Sequence, residues 1–142
     1  MNPFQSLREY ELFVYSLPQQ FKSIESSTLL LIQRGRHYAE LTGELFFGRD
    51  FRLSVYERLV WENGGLQIEG YSYEAWHGND KIYWYDSQPH PDEPTLASTH
   101  PHHKHVPPDI RHHRVPAPGL SFSEPNLAIL IQEIEKMIVV DR

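Results

Sequence analysis

The 142 residues contain no cysteine. That excludes disulfides, thiolate metal sites and cysteine nucleophiles together. Long apolar runs are also missing. None approaches the roughly 18 residues of a membrane span, so an integral membrane protein is not expected. The segment from Met1 to Glu11 carries acids early and has no apolar h-region, which reads as no secretory signal. Positive charge is scarce: 13 Lys and Arg face 19 Asp and Glu, for a net charge of −6. General attraction for nucleic acid is therefore absent, and any such contact has to be local. These absences lead us to expect a cytoplasmic protein with no membrane partner.

What is present reads as globular. Apolar residues make up 39% of the chain and charged residues 23%, unlike a disordered segment. The length suits one domain over 1–142 with one ordinary core. Aromatic residues are frequent, with eight Tyr, seven Phe and three Trp.

Four pieces follow along the chain. The first is a helix. Ser6 and Glu9 have capping-box spacing, and Leu7, Tyr10, Val14 and Leu17 recur at helical period until Pro18 stops it. The second is a run of five strands: Thr28 to Gln33, Tyr38 to Phe47, Phe51 to Glu62, Leu66 to His77 and Lys81 to Asp86. The turns are Arg34-Gly35-Arg36, Gly48-Arg49-Asp50, Asn63-Gly64-Gly65 and Gly78-Asn79-Asp80. Such short connections make neighbours antiparallel. The third piece is a His/Pro-rich loop over 87–120, longer than the roughly 12–15 residues usual for a structureless loop. The fourth is a helix with Ser123 at its N-cap, Glu124 and Pro125 in its first turn, and a stripe of Leu127, Leu130, Ile131, Ile134 and Ile138. The expected fold is α+β: a five-stranded antiparallel meander with an N-terminal helix, a long functional loop and a C-terminal helix.

One residue breaks the strand pattern. Glu57 sits in the apolar row of the third strand, with Phe51, Leu53, Val55, Leu59 and Trp61. Two readings stay open, a bulge near a sheet edge or a carboxylate facing a functional cleft. A buried carboxylate needs partners or a shifted pKa. Tyr71, Tyr73, Tyr83 and Tyr85 lie on neighbouring strands. They read as half-buried sheet residues, or as a platform on which an RNA base stacks. His37 and His77 read as surface residues near turns, and Arg49, Arg52 and Arg58 as a solvated face.

The loop concentrates the chemistry. Seven of nine His and eight of eleven Pro fall between Gln88 and Gly119. Lys104, Arg111 and Arg114 add fixed positive charge. Imidazole titrates near neutrality, so it transfers protons or binds metal. The first reading is phosphodiester cleavage. One His removes a 2′-hydroxyl proton, another protonates the leaving 5′-oxygen, and a cation stabilises the phosphorane. The candidates for proton transfer are His102, His103 and His105, with Lys104 and Arg111 to contact the phosphate and His90 and Asp86 to orient an imidazole. Tyr85, Tyr73, Arg111 and Arg114 are the substrate-binding candidates. On extended backbone either His103 and His105 face one cleft while Lys104 faces away, or His102 and Lys104 face it instead. The second reading is a divalent metal such as zinc held by His90, His103 and His105, in a hydrolase or nuclease. The third is a loop without chemistry, or a pH-sensitive protein interface.

The string Tyr85-Asp86-Ser87-Gln88-Pro89-His90, followed by Pro101-His102-His103-Lys104-His105, resembles the TumE family of bacterial toxins. The Tyr71-x-Tyr73 pair resembles that family's penultimate strand, and Glu57 an acidic position earlier in it. The resemblance spans roughly Tyr38 to His113 plus the closing helix. It implies the toxin component of a type II toxin–antitoxin system, inhibiting growth and held inactive by a cognate antitoxin, typically a small helix-turn-helix DNA-binding protein. By analogy the toxin is a metal-independent endoribonuclease acting on RNA, without a cofactor; a homodimer stays open. The N-terminal helix and the extension from Pro107 to Arg114 depart from shorter members.

Overall fold

The computed structural model describes residues 3–62, 65–87, 103–106, 114–116 and 119–140, with the backbone alone at 103, 105 and 114–116. A short 3-10 turn, Pro3–Gln5, leads into α1 (Leu7–Tyr15) and α2 (Leu17–Gln20). The Ser6 hydroxyl accepts from the Glu9 N–H at 3.1 Å, as an N-cap should. Pro18 ends α1 but does not end helical structure, because it lies in the first turn of α2, where its missing N–H costs nothing.

Eight antiparallel strands follow: β1 (Ile24–Ser27), β2 (Leu30–Gln33), β3 (Tyr38–Phe47), β4 (Phe51–Trp61), β5 (Leu66–His77), β6 (Asp80–Asp86), β7 (His103–His105) and β8 (Arg114–Pro116). The order is β1-β3-β4-β5-β6-β7-β8, with β2 also pairing β3. β2 to β6 are the expected meander. The other three strands extend it. β1 and β2 share one edge of β3, meeting Leu45 to Phe47 and Ala39 to Thr42 respectively. The break between them faces Gly43, whose φ is +135° and where a Cβ would come within 2.5 Å of the Thr28 carbonyl oxygen. Only glycine allows that approach. β7 and β8 arise inside the stretch expected as loop.

Helix α3 (Leu127–Val140) closes the fold. It begins at Leu127, so Ser123, Glu124 and Pro125 precede it rather than cap it. Leu127, Leu130, Ile131 and Ile134 are fully buried. Each such side chain contributes about 1.5–3 kcal/mol of apolar burial. Both α1 and α3 lie on one face of the sheet. Tyr10, Val14 and Leu17 join the α3 stripe in one core with Leu41, Leu45, Leu53, Leu59 and Tyr73. The other face carries no helix among the described residues. The Ile68 N–H donates to the Phe122 carbonyl at 2.7 Å. This bond ties β5 to the segment that leads into α3.

The alternation along β4 is unbroken from Phe51 to Leu59, so Glu57 points into the core without any bulge in its own strand. The irregularity is on the partner: Arg58 pairs with Gly70 and Leu59 with Ile68, leaving Glu69 as the extra residue of β5. Arg49 and Asp50 hold φ of 59° and 65° in the β3–β4 turn.

Candidate functional site

The two sheet faces differ in their chemistry. On the covered face, Glu57 is completely buried. The Tyr10 hydroxyl donates to its Oε1 at 2.5 Å, and the Tyr73 hydroxyl donates to its Oε2. Asn126 Nδ2 donates to the Tyr73 hydroxyl at 3.1 Å, and its other bonds go to the Ser121 backbone. One carboxylate thus joins α1, β4, β5 and the start of α3. Burial pushes Glu57 up to about 7, against the lowering effect of the two tyrosine hydrogen bonds. Burial, and next the Glu57 charge, raises Tyr10 and Tyr73 well above the ordinary phenol range. Glu57 lines no cleft. It is a partnered core carboxylate rather than a site group.

Lys104 belongs to the same covered face. Its Nζ stands 3.4 Å from Glu133 Oε1 on α3 and 4.2 and 5.1 Å from the ring centroids of Tyr83 and Tyr85. The Tyr85 hydroxyl donates to Glu133 Oε2 at 2.8 Å. Among the described residues the buried Tyr83 hydroxyl has no hydrogen-bond partner; Glu133 is near enough to raise its pKa, after burial, but is out of bonding geometry. Tyr73 is fully buried and Tyr71, Tyr83 and Tyr85 nearly so. The stacking platform expected from these four tyrosines therefore does not exist as an open surface, because α3 and the core cover it. Tyr73 and Tyr85, expected to bind substrate, are core residues.

The open face holds a different set. Register pairs Asp86 with His103, Tyr85 with Lys104 and Trp84 with His105. Strand alternation puts positions 103 and 105 on the face of Trp84 and Asp86, opposite Lys104. That face has a concavity of about 350 Å³ lined by Tyr56, Arg58, Glu69, Ser72, Trp84 and Asp86, with the ends of Gly70, Tyr71 and Ser87. Asp86 is only 6% exposed, and its charge, after burial, raises Tyr71. Trp84 Nε1 donates to the Ser72 hydroxyl at 2.9 Å. Ser87 accepts from the Tyr71 N–H at 2.9 Å, which holds the end of β6 against β5.

Around this concavity the open face is a ladder of ion pairs and rings. Arg52 meets Glu44 at 2.8 Å and lies 4.5 Å from the Trp76 ring. Lys81 meets Glu74 at 2.9 Å and lies 5.0 Å from the Trp84 ring. Arg58 meets Glu69 at 2.5 Å and lies 4.3 Å from the Tyr38 ring. Arg52 and Arg58 match the solvated face expected of them. His77 instead stacks on Phe51, with ring centroids 4.1 Å apart.

His90, His102 and Arg111 lie outside the described residues, as do the side chains of His103, His105 and Arg114. Arg114 opens β8 opposite His105 in the backbone register. Among the described residues no three of His, Asp and Glu stand together as a cation site. The zinc alternative rests on His90 and the imidazoles of His103 and His105, which lie outside that set. Sequence reasoning passed over Arg58, Tyr56, Ser72 and Trp84 at this site. The available signal was parity for Tyr56 and Arg58, which alternate with Val55, Glu57 and Leu59 in β4; for Ser72 and Trp84 the irregularities in the β4–β5 and β5–β6 pairings break it.

These features define a small antiparallel-sheet protein with one helix-covered face and one open face, the latter bordered by a histidine-bearing strand. Comparison with protein families matches residues 16–138 to the family described as Toxin TumE. The chain belongs to that family, so it is a toxin of a toxin–antitoxin module and has an antitoxin as partner. No curated protein matches the chain. No solved structure matches it. No helix among the described residues is long and apolar enough to cross a membrane.

Proposed function

We propose that this toxin is a cytoplasmic, metal-independent ribonuclease whose acid–base pair is His103 and His105, working on the open face beside Asp86. The observation that carries this reading is the β6–β7 register, Asp86 with His103 and Trp84 with His105. Positions 103 and 105 share a face of their strand by alternation, the face of Asp86 and of a concavity of about 350 Å³. One imidazole takes the 2′-hydroxyl proton. The 2′-oxygen attacks phosphorus, and the other imidazole protonates the departing 5′-oxygen. The products are a 2′,3′-cyclic phosphate and a 5′-hydroxyl end. Asp86 orients one imidazole and fixes its tautomer. Arg58, in the same concavity, supplies fixed positive charge for the phosphate. Lys104, paired with Glu133 on the opposite face, holds the strand in place rather than the phosphate. His102 and His90 serve as further proton carriers only if they reach the same face. The antitoxin is a small helix-turn-helix protein that silences the toxin by covering this face.

The test is cleavage of a defined RNA by purified protein, with and without EDTA. Replacing His103 and His105 together by Ala should slow cleavage about 10²-fold or more, and EDTA should leave the wild-type rate unchanged. Normal cleavage by the double variant ends the His mechanism, and loss of activity in EDTA moves the reading to metal chemistry.

A further inference from the structure

A second, larger concavity adjoins the first. It measures about 760 Å³ and wraps the end of the sheet, lined by His37, Tyr38, Arg58, Gln67 and Glu69 and, from the helix-covered side, by Phe4 and Leu66. Its size falls within the roughly 300–1,000 Å³ usual for small-ligand sites. Arg58 and Glu69 line both concavities, so the two form one continuous groove across β4 and β5.

The chemistry of the two halves differs. The smaller half lies against positions 103 and 105. The larger half sets two carboxylates, Glu62 and Glu69, and one amide, Gln67, against a single guanidinium. Such a wall repels a phosphate. Its acceptors suit N–H donors instead. Glu69 accepts from Arg58 through Oε1, and among the described residues nothing bonds its Oε2. The Tyr38 ring is half-buried and lies under the Arg58 guanidinium, 4.3 Å from its centroid, so it holds Arg58 in place at this wall. A carboxylate is a group that reads base edges, because it accepts from an exocyclic amine. Cytosine, adenine and guanine carry such an amine and uracil does not. Arg58, at the wall common to both halves, then sits where the phosphate joining two successive nucleotides would pass.

We infer that the larger half of the groove is a base-reading subsite for the nucleotide next to the cleaved linkage, selecting amine-bearing bases over uracil through Glu69. This rests on the ribonuclease reading for its position relative to the reacting phosphate. It does not rest on that reading for binding.

The experiment measures binding without cleavage. Fluorescently labelled hexanucleotides of cytidine, adenosine and uridine are titrated into the His103→Ala, His105→Ala protein and followed by anisotropy. The cytidine and adenosine hexamers should bind about tenfold tighter than the uridine hexamer. Glu69→Gln in that background should bring the ratio near one, because the amide also donates to uracil carbonyls. Uridine binding within twofold of cytidine, no measurable binding of any hexamer, or a ratio unchanged by Glu69→Gln overturns the subsite. Cleavage by the wild type in the face of any of those results leaves the ribonuclease reading standing without it. The predicted ratios in a wild type that cuts no RNA keep the subsite and remove the ribonuclease.

Discussion

The two faces of the sheet are built from the same strands and obey different rules. On the covered face the polar groups that enter are held by one another, the Tyr83 hydroxyl excepted: Glu57 by Tyr10 and Tyr73, Tyr73 by Asn126, Lys104 and Tyr85 by Glu133. A buried charge left alone costs several kcal/mol, so these bonds decide whether α1 and α3 can dock at all. On the open face the charges pair across strands in water, where pairing contributes little to stability. Concavities form there because no helix fills them. The difference separates residues that keep the protein folded from residues free to meet a ligand. Lys104 lies on the covered face, and by strand alternation the neighbouring positions 103 and 105 fall on the other.

Variants that break this division should act in a definite order. The largest effect is expected at Ile131, fully buried in α3. Ile131→Ala should cost about 2–5 kcal/mol in denaturant unfolding. Next is Glu57. Its folded pKa is raised from 4.5 to about 7, so the folded state holds the proton more tightly than the unfolded chain. Its contribution is fully present below about pH 4.5 and is lost as pH rises through about 7. The shift corresponds to an order of about 3 kcal/mol. The difference between wild type and Glu57→Gln, measured across that window, should follow this slope, with the variant gaining relative stability as pH rises. A difference independent of pH would place the carboxylate in a solvated setting. Smaller again is Lys104→Met, which removes the Glu133 pair and the contacts with Tyr83 and Tyr85. It should cost about 1 kcal/mol and leave RNA cleavage by the remaining folded protein near the wild-type rate. A loss of cleavage without a loss of stability would move Lys104 to the active face. The smallest effect on folding belongs to Arg58→Ala on the open face, whose unfolding midpoint should match wild type while RNA binding weakens.

Much of the scaffold was legible. β2 to β6 announce themselves because apolar and polar residues alternate and turn triplets separate them. β1 does not, because Ile24-Glu25-Ser26-Ser27 has a single apolar residue; it is a strand only because the β3 edge accepts it and Gly43 lets the chain pass. β7 and β8 are three residues each in a Pro-rich stretch, and the pairing of β7 with β6 and of β8 with β7, not local preference, makes them strands. The start of α3 moved from the expected Ser123 to Leu127. The Ser123 N–H turns to the Ser121 hydroxyl instead, and Asn126 reaches Tyr73. Parity grouped Tyr71, Tyr73, Tyr83 and Tyr85 correctly on one face. The apolar row of β4 marks its covered face, but β5 and β6 carry tyrosines on that row and each pairing has an irregularity, so the strands alone do not place Tyr73 and Tyr85 in the core.

The claim on which the account turns is that the open face beside β7 is the toxic site. The direct measurement is induced expression of the wild type beside a variant with His102, His103 and His105 all replaced by Ala, reading growth and total RNA integrity together while folded protein is shown to accumulate. The account predicts growth arrest with RNA loss in the wild type and neither in the variant. Growth arrest with intact RNA, or equal arrest by both proteins, would contradict it.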